Sequence, residues 1–434
     1  MRLEGKIMKT VRLRALVMFC CIVCPLQGYA EAGSLAGGGT LLSLEETLGR
    51  ALKDSAQVKR AEARLEKEEA LLRAAKRRFF PKIGTDLYTA ATSEDRRGIL
   101  FWKNEMRLPI FEGGRLIHEK RKKDLQVQEG RLRLKETRET VSYEVKAIYI
   151  ALLKEKELTR LAQEWVAESG KLYRTMKFLY EQEIITREEL FRWEALLGAS
   201  QHELLKHKEA LDYAEALIAE LTGVKEGERI ELEPLGEVRF QKRVFRSLLS
   251  ELRNNNPVYK IVNTQVREKE EEKKALRSER FPKLGLSTRF NRAKDSFVDQ
   301  NRFEFGVVGS WNIWDFGVLG NEIAAKDAEI KEMTEDGRIE TTALEHEARK
   351  VLSDLKVAWA KIQSMKSLLK EKKESYQNQK TRLIAGEKGE SEIFDSFVSL
   401  TQIQMGVIEA LSDYRLLQAR LERITGKGAP NEKE

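Results

Sequence analysis

The chain has 434 residues, with 78 Lys and Arg against 70 Asp and Glu and a formal charge of +8. Residues 1–30 hold five Lys or Arg and one Glu, which leaves only +4 for the remainder. So small an excess among abundant charges of both signs describes solvated helix faces and excludes a nucleic-acid surface, which needs clustered basic residues. At the N-terminus Lys9, Arg12 and Arg14 precede an apolar run from Ala15 to Leu26, followed by Gly28-Tyr29-Ala30. A positive flank, a short apolar run and a small-x-small site predict a secretory signal peptide over residues 1–30, cleaved after Ala30, with Met8 as an alternative start. The run is too short to cross a bilayer comfortably. Cys20, Cys21 and Cys24 all fall inside it, so the processed chain is left with no thiol for disulfides or for chemistry. Val23 before Cys24 departs from the small residue a lipid-anchored variant wants.

The remainder says the same thing twice. Arg78-Phe79-Phe80-Pro81-Lys82-Ile83-Gly84 returns as Arg280-Phe281-Pro282-Lys283-Leu284-Gly285. Phe111-Glu112-Gly113-Gly114 is matched by Trp314-Asp315-Phe316-Gly317, and Leu221-Thr222-Gly223 by Ile424-Thr425-Gly426. A repeat of this length is too long for a solenoid, so one structural unit is made twice. The expected order is a first unit over 41–223, a linker over 224–241, a second unit over 242–426 and a disordered tail over 427–434.

Within the first unit, helices are predicted over 41–78, 115–184 and 187–221, with a strand pair over 82–111. The long helix carries Val141, Val145, Ile148 and Leu152, then Leu158, Leu161, Trp165, Leu172, Met176 and Leu179 at heptad-like steps. The second unit repeats this with helices over 242–279, 318–384 and 390–425 and a strand pair over 283–313. Its long helix carries Leu344, Val351, Leu355, Ala358, Ile362, Met365 and Leu369. A narrow apolar seam with charged flanks is the pattern of helices packed knobs-into-holes. Each long helix would run about 100 Å, and each pair of shorter helices sums to nearly the same length. That predicts a wall of uniform height.

The strand segments alternate. Leu100, Trp102, Met106, Leu108 and Ile110 oppose Lys103, Glu105 and Arg107; residues 302–313 and Leu284–Asn291 alternate likewise, and Ile83–Ala90 less well. Period two with one apolar face fits a membrane barrel strand, and it also fits a soluble hairpin on a helical bundle. Export and arithmetic favour the barrel. Four strands per chain cannot close, since bacterial membrane barrels need at least about eight, so several chains must combine, most simply in a symmetric ring. Trp102, Trp311 and Trp314 fit interfacial anchors or ordinary strand aromatics equally.

Little points to catalysis or to a cofactor. His118, His202, His207 and His346 form no His-Glu-x-x-His arrangement, and neither a phosphate-cradling loop nor a serine elbow occurs. An exported coiled-coil stalk or scaffold explains the heptads but leaves the alternating segments without a role. A periplasmic adaptor would lack two full copies of helix, strand pair and longer helix.

In its repeated Phe-Pro-Lys, its Phe111-Glu112-Gly113-Gly114 turn and its closing Leu-Thr-Gly and Ile-Thr-Gly, the chain resembles TolC-like outer membrane efflux proteins over about residues 41–426. The resemblance implies an α+β fold, mainly α: very long coiled-coil-like helices in an internal duplication, with two strands per half. It implies a homotrimer whose strands form a twelve-stranded transmembrane β-barrel in outer membrane lipid and whose helices form a periplasmic tunnel. It further implies a periplasmic adaptor (membrane fusion) protein and an inner-membrane RND or ABC pump as partners, a passive conduit in the Gram-negative envelope, and no cofactor. The helix tips near Tyr180–Leu190 and Leu383–Phe394 would meet the adaptor. The family's glycine and small residue are kept there as Gly386 and Gly389, whereas the first copy has Glu183 and Thr186; Thr186 and Ser391 are candidate helix caps. By position after that turn, Glu392 and Asp395 would form the family's acidic ring at the gate, a ring that favours cations; taken alone they are two solvated carboxylates. Gly114 and Gly317 stand where strand turns sharply into long helix.

Overall fold

A computed structural model describes residues 40–90, 99–222, 230–234, 236–240, 242–294, 299–385 and 389–428. The expected signal peptide and Gly386 lie outside these residues. In chain order the elements are β1 (Thr40–Leu42), α1 (Leu44–Asp54), α2 (Ala56–Arg77), β2 (Lys82–Ala90), β3 (Ile99–Phe111), α3 (Arg115–Glu181) and α4 (Arg187–Thr222). They continue with β4 (Ile230–Leu232), α5 (Phe245–Asn255), α6 (Pro257–Arg277), β5 (Lys283–Lys294), β6 (Asp299–Ser310), α7 (Val318–Ile384) and α8 (Glu390–Thr425).

The two long helices have 67 residues each, about 100 Å at the α-helical rise. Their heptad positions are the core. Val141, Val145, Leu152, Leu158, Trp165 and Met176 of α3 are buried, as are Val351, Leu355 and Ile362 of α7. Early in its course α3 is flanked by α2 and α6, and later by α4 and α8. The contacts on the α6 side include a hydrogen bond from Gln265 to Glu129 (2.8 Å), and on the α8 side one from Trp165 Nε1 to Gln404 (3.0 Å). The main neighbours of α7 are α6, α8 and the short α5, and α3 meets it near the far end, where Glu168 contacts Tyr376 and Lys380.

Two helices expected to be continuous are broken. The segment 41–78 divides at Ser55, and 242–279 divides at Asn256-Pro257. Proline has no N–H to continue α5 but suits the first turn of α6. Asn256 makes the break specific. Its Oδ1 accepts from Val258 N–H (2.8 Å), and its Nδ2 donates to the Ile424 carbonyl at the end of α8 (2.7 Å).

The segment after α4 is strapped to the helices. β4 pairs in parallel with β1. Tyr149 Oη donates to the Glu233 carbonyl (2.8 Å), Arg415 to that of Gly236 (3.0 Å), and Phe240 stacks on Trp359 with centroids 5.6 Å apart. The C-terminal tail begins in an ordered way, contrary to the expectation of disorder from residue 427. Gly428 N–H donates to Glu139 Oε2 (2.7 Å), and Lys427 reaches Glu251 (3.1 Å), because a buried carboxylate and the α5 surface offer partners there. Residues 429–434 lie outside the described set.

The four longer strands form one antiparallel sheet in the order β2-β3-β5-β6. β6 ends at Ser310 rather than 313. Its pairing with β5 begins at Lys283–Ser310, so residues 311–313 extend past the end of their only described neighbour.

Asn256→Ala removes both a helix cap and the donor that satisfies a buried carbonyl. It should destabilise the chain by about 2–3 kcal/mol, read as a lowered thermal midpoint in detergent by tryptophan fluorescence.

Candidate functional site

The sheet sorts its side chains by face. On one face Lys103, Glu105 and Arg107 of β3 line up with Arg289 of β5 and Glu304 of β6 in a continuous ionic network. Glu105 is 2.7 Å from Arg107, 3.3 Å from Lys103 and 3.2 Å from Arg289, and Arg289 is 3.1 Å from Glu304. The opposite face carries Ile83, Leu87, Phe290, Phe303, Phe305 and Val307, all exposed. Aromatic residues bound this apolar face at both ends. Trp102 lies level with Leu87 and Arg292 toward the distal end, and Trp311 and Trp314 lie at the helix end. From Trp102 to Leu108 along β3 is about 20 Å, close to the height of the apolar band of a membrane barrel. β2 and β6 are the sheet's two edges.

Each strand-to-helix junction is a left-handed turn. Gly114 has φ 89° and Gly317 φ 85°. The preceding residues differ: Gly113 has φ 62°, and a Cβ there would lie 2.4 Å from the Ser278 carbonyl oxygen, so only glycine allows α6 this close. Phe316 holds the same position in the second half with φ 54° and is 89% exposed.

At the far end of the helices the first tip is a Schellman turn. Ile184 N–H donates to the Leu179 carbonyl and Glu183 N–H to that of Tyr180, both at 2.9 Å. Glu183 takes the left-handed residue of this turn (φ 58°), where glycine is usual. Thr186 then caps α4 in a reciprocal box. Its Oγ1 accepts from Glu189 N–H (3.3 Å), while its own N–H donates to Glu189 Oε2 (2.7 Å). The second tip differs from the expected capping by Ser391. Gly389 precedes α8 with no side-chain cap, and Ser391 is already inside the helix. Glu392 and Asp395 are exposed on the side of α8 away from buried Ile393, Ser396 and Phe397. Neither makes an ion pair among the described residues.

A cluster joins the tips. Trp193 of α4 meets Phe394 of α8 edge-on at 5.2 Å, and Tyr376 of α7 packs on Phe397 at 5.6 Å. Sequence reading missed the polar link beside it. Glu168 of α3 accepts from Tyr376 Oη (2.8 Å) and pairs with Lys380 of α7. Burial alone would raise the Glu168 carboxyl. The hydrogen bonds from Lys380 and Tyr376 outweigh it and hold the group below its ordinary value of 4.5. Burial and Glu168 together push the Tyr376 phenol up. No metal-holding group of three or more His, Cys, Asp or Glu occurs among the described residues. No described helix is long and apolar enough to cross a membrane.

A sheet with an apolar outer face and a charged inner one, on long helices sealed by their own hydrogen bonds, defines a subunit of a membrane barrel with a helical extension. The sequence pattern of the outer membrane efflux protein family matches residues 47–224 and 248–427. The chain belongs to that family. It is an outer-membrane channel component, extends into the periplasm, and is a transport conduit rather than an enzyme. No curated protein matches the chain by sequence. Among solved structures it is similar to CusC, with a TM-score of 0.78 and 12% identity over 94% of this chain and 99% of that one. It is also similar to the outer membrane protein VceC of Vibrio cholerae (TM-score 0.74, 14% identity, 88% and 96% covered). A third is the CmeC outer membrane channel of Campylobacter jejuni (TM-score 0.77, 13% identity, 90% and 87% covered). At these identities the likeness is one of fold.

Two predictions follow from the tips. Glu183→Gly relieves a left-handed non-glycine, worth about 1–2 kcal/mol, against glycine's backbone entropy of about 0.5–1 kcal/mol. It should raise stability slightly in thermal unfolding, whereas Glu183→Val should lower it. Because the Glu168 carboxyl is depressed, its contribution is complete above 4.5 and is lost as pH falls through its folded value. Wild type should therefore lose stability on acidification more steeply than Glu168→Gln. At neutral pH the variant should be weaker by about 1 kcal/mol.

Proposed function

We propose that three copies of this chain close into one passive channel. Their sheets join as a twelve-stranded barrel in the outer membrane, and their helices form a tunnel through the periplasm. The observation that carries this reading is the four-stranded sheet with two edges and an exposed apolar face. In water that face and those edges invite aggregation; in lipid they require a closed ring. A ring of three fits the family resemblance and supplies enough strands for a bacterial barrel.

The channel serves as the outer-membrane component of a tripartite efflux or type I secretion system. A conduit without an NTP site takes its driving force from an inner-membrane pump, of RND or ABC type, through a periplasmic adaptor. The tips around Glu183, Thr186, Gly386 and Gly389 are the adaptor surface in this reading. Phe178, Ile184, Phe191 and Ile384 leave apolar area exposed there, the kind a helical partner covers. The gate lies at the same end. Exposed Glu392 and Asp395, brought together by three copies, form a ring of six carboxylates that attracts cations. The Glu168–Tyr376–Lys380 link holds α3 to α7 just above it, so opening requires that link to loosen or to move as a unit.

Detergent-purified protein inserted into planar bilayers should conduct. Replacing both Glu392 and Asp395 with Ala should lower its cation preference severalfold, read from the reversal potential in a salt gradient. Unchanged selectivity rejects the ring, and a protein that never conducts rejects the channel.

A further inference from the structure

One face of the last turns of α2 looks into a cleft. Ala70, Arg73, Ala74 and Arg77 fall three or four residues apart, so they share a helix face. All four line a cavity of about 1050 Å³ between α2, the start of α3 and the sheet. Residues from all four strands of that sheet contribute to its wall, so it lies on the charged inner face and at neither edge. Small side chains hollow this face out. Gly285 lies between Pro109 and Val308, with Ser287 and Ser310 beside them.

The charge of the cleft is one-sided. Eight lysine or arginine residues border it against two glutamates. Four of the eight are engaged by carboxylates: Arg78 by Glu119, Arg107 by Glu105, Arg115 by Glu112 and Arg289 by Glu304. Arg73, Arg77, Lys82 and Lys283 are exposed and have no ion pair among the described residues. Donors are in excess even in the engaged group. Arg115 and Arg289 each give both terminal nitrogens to carboxylates and leave a buried Nε without a partner among the described residues. A helix dipole favours basic residues at a C-terminus, which accounts for Arg77 but not for Lys82 and Lys283 on strands.

The duplication supplies an internal comparison. Counted back from the shared proline, Lys274 of α6 stands where α2 has Arg73, Glu271 where it has Ala70, and Ser278 where it has Arg77. Lys274 is neutralised by Glu271 at 2.7 Å, and Glu271 also holds His118 of α3 at 2.8 Å. The same helix face is thus ion-paired and closed in the second half, and basic, unpaired and open in the first.

We propose that this cleft binds organic anions: a carboxylate, sulfonate or phosphate ester held by Arg73, Arg77 and Lys82, with its apolar part against Pro81 and Phe80, whose ring is 68% exposed. The inference rests on the channel reading for its place on the inner wall, and deepens it by naming a class of cargo. Guanidinium forks match such oxyanions in two-point hydrogen bonds. A cleft lined by one sign of charge also concentrates the opposite sign from solution. Its volume is at the upper end for a small-molecule site. The length of α3, about 100 Å, separates it from Glu392 and Asp395. That is many times the screening length in salt, so the acidic tip and the basic cleft act independently.

The test is calorimetric titration of the full chain in dodecyl maltoside with naphthalene-2-sulfonate, and with naphthylmethyl-trimethylammonium as a cation of similar shape. The sulfonate should bind at least about tenfold more tightly than the cation, and its affinity should fall as salt rises. The triple variant Arg73→Gln, Arg77→Gln, Lys82→Gln should weaken the sulfonate by at least about tenfold. Ala74→Trp keeps every charge but fills the cleft, and should weaken it as well. Equal binding of the two probes, an affinity indifferent to salt, or an unchanged affinity in either folded variant overturns the site. Sulfonate binding that phosphatidylglycerol added to the micelles abolishes assigns the cleft to a lipid headgroup and overturns the cargo class. Conduction by a protein without the site leaves the channel reading standing; anion binding by a protein that never conducts overturns the channel and keeps the site.

Discussion

Everything in this molecule is arranged around a sheet that one chain cannot finish. A four-stranded antiparallel sheet leaves a row of N–H and C=O groups along each edge. In hydrocarbon each such group left unpaired costs several kcal/mol. The inner face tolerates charge because Glu105 is shared among Lys103, Arg107 and Arg289. The outer face exposes phenylalanines and valines that only lipid or another chain can cover. The sheet is therefore stable only in company, and the long helices are what remains stable outside the lipid.

Those helices solve a different problem. A wall standing in water cannot rely on lipid, so α3 and α7 satisfy their backbone internally and bury a narrow apolar seam. Their ends are closed by turns that use few residues: left-handed Gly114 and Gly317 at the sheet, a Schellman turn and a capping box at the first tip. The tips depend on tight aromatic packing around Trp193 and Tyr376 and on one shared carboxylate, Glu168. Residues that are far apart in sequence meet there, so a change in helix angle disturbs contacts of α3, α4, α7 and α8 together.

This difference explains what the sequence revealed and what it withheld. The heptad seams and strand alternation were legible because each is a local period imposed by one buried face. Pro257 was an equally legible break, since a proline cannot continue α5 in the α-helical hydrogen-bond pattern, and the continuous helix over 242–279 overlooked it. Ser55 carried no comparable signal; serine interrupts a helix only where the neighbouring packing asks for it. The β1–β4 pair is three residues on each side, too short for any period to show. The Glu168–Tyr376–Lys380 link could not be read because more than two hundred residues separate its members, in a chain where carboxylates and lysines are everywhere. The end of β6 at Ser310 follows from its neighbour: the alternation runs through 313, but the pairing with β5 begins at Lys283–Ser310.

Duplication also marks where the two copies do different work. Where a position needs the same backbone geometry in both halves, it keeps its residue type: Gly114 and Gly317, which open the long helices, are both left-handed. Where the neighbours differ, the residues diverge. Gly113 is pressed against the end of α6, and a side chain there has no room; its counterpart Phe316 faces no described element and is the most exposed large hydrophobic side chain among the described residues. Glu183 holds a left-handed turn (φ 58°) at a position where glycine is usual. The first tip is thus closed by a left-handed non-glycine and a reciprocal capping box, whereas α8 begins after Gly389 with no side-chain cap, so the two tips are fixed by different interactions.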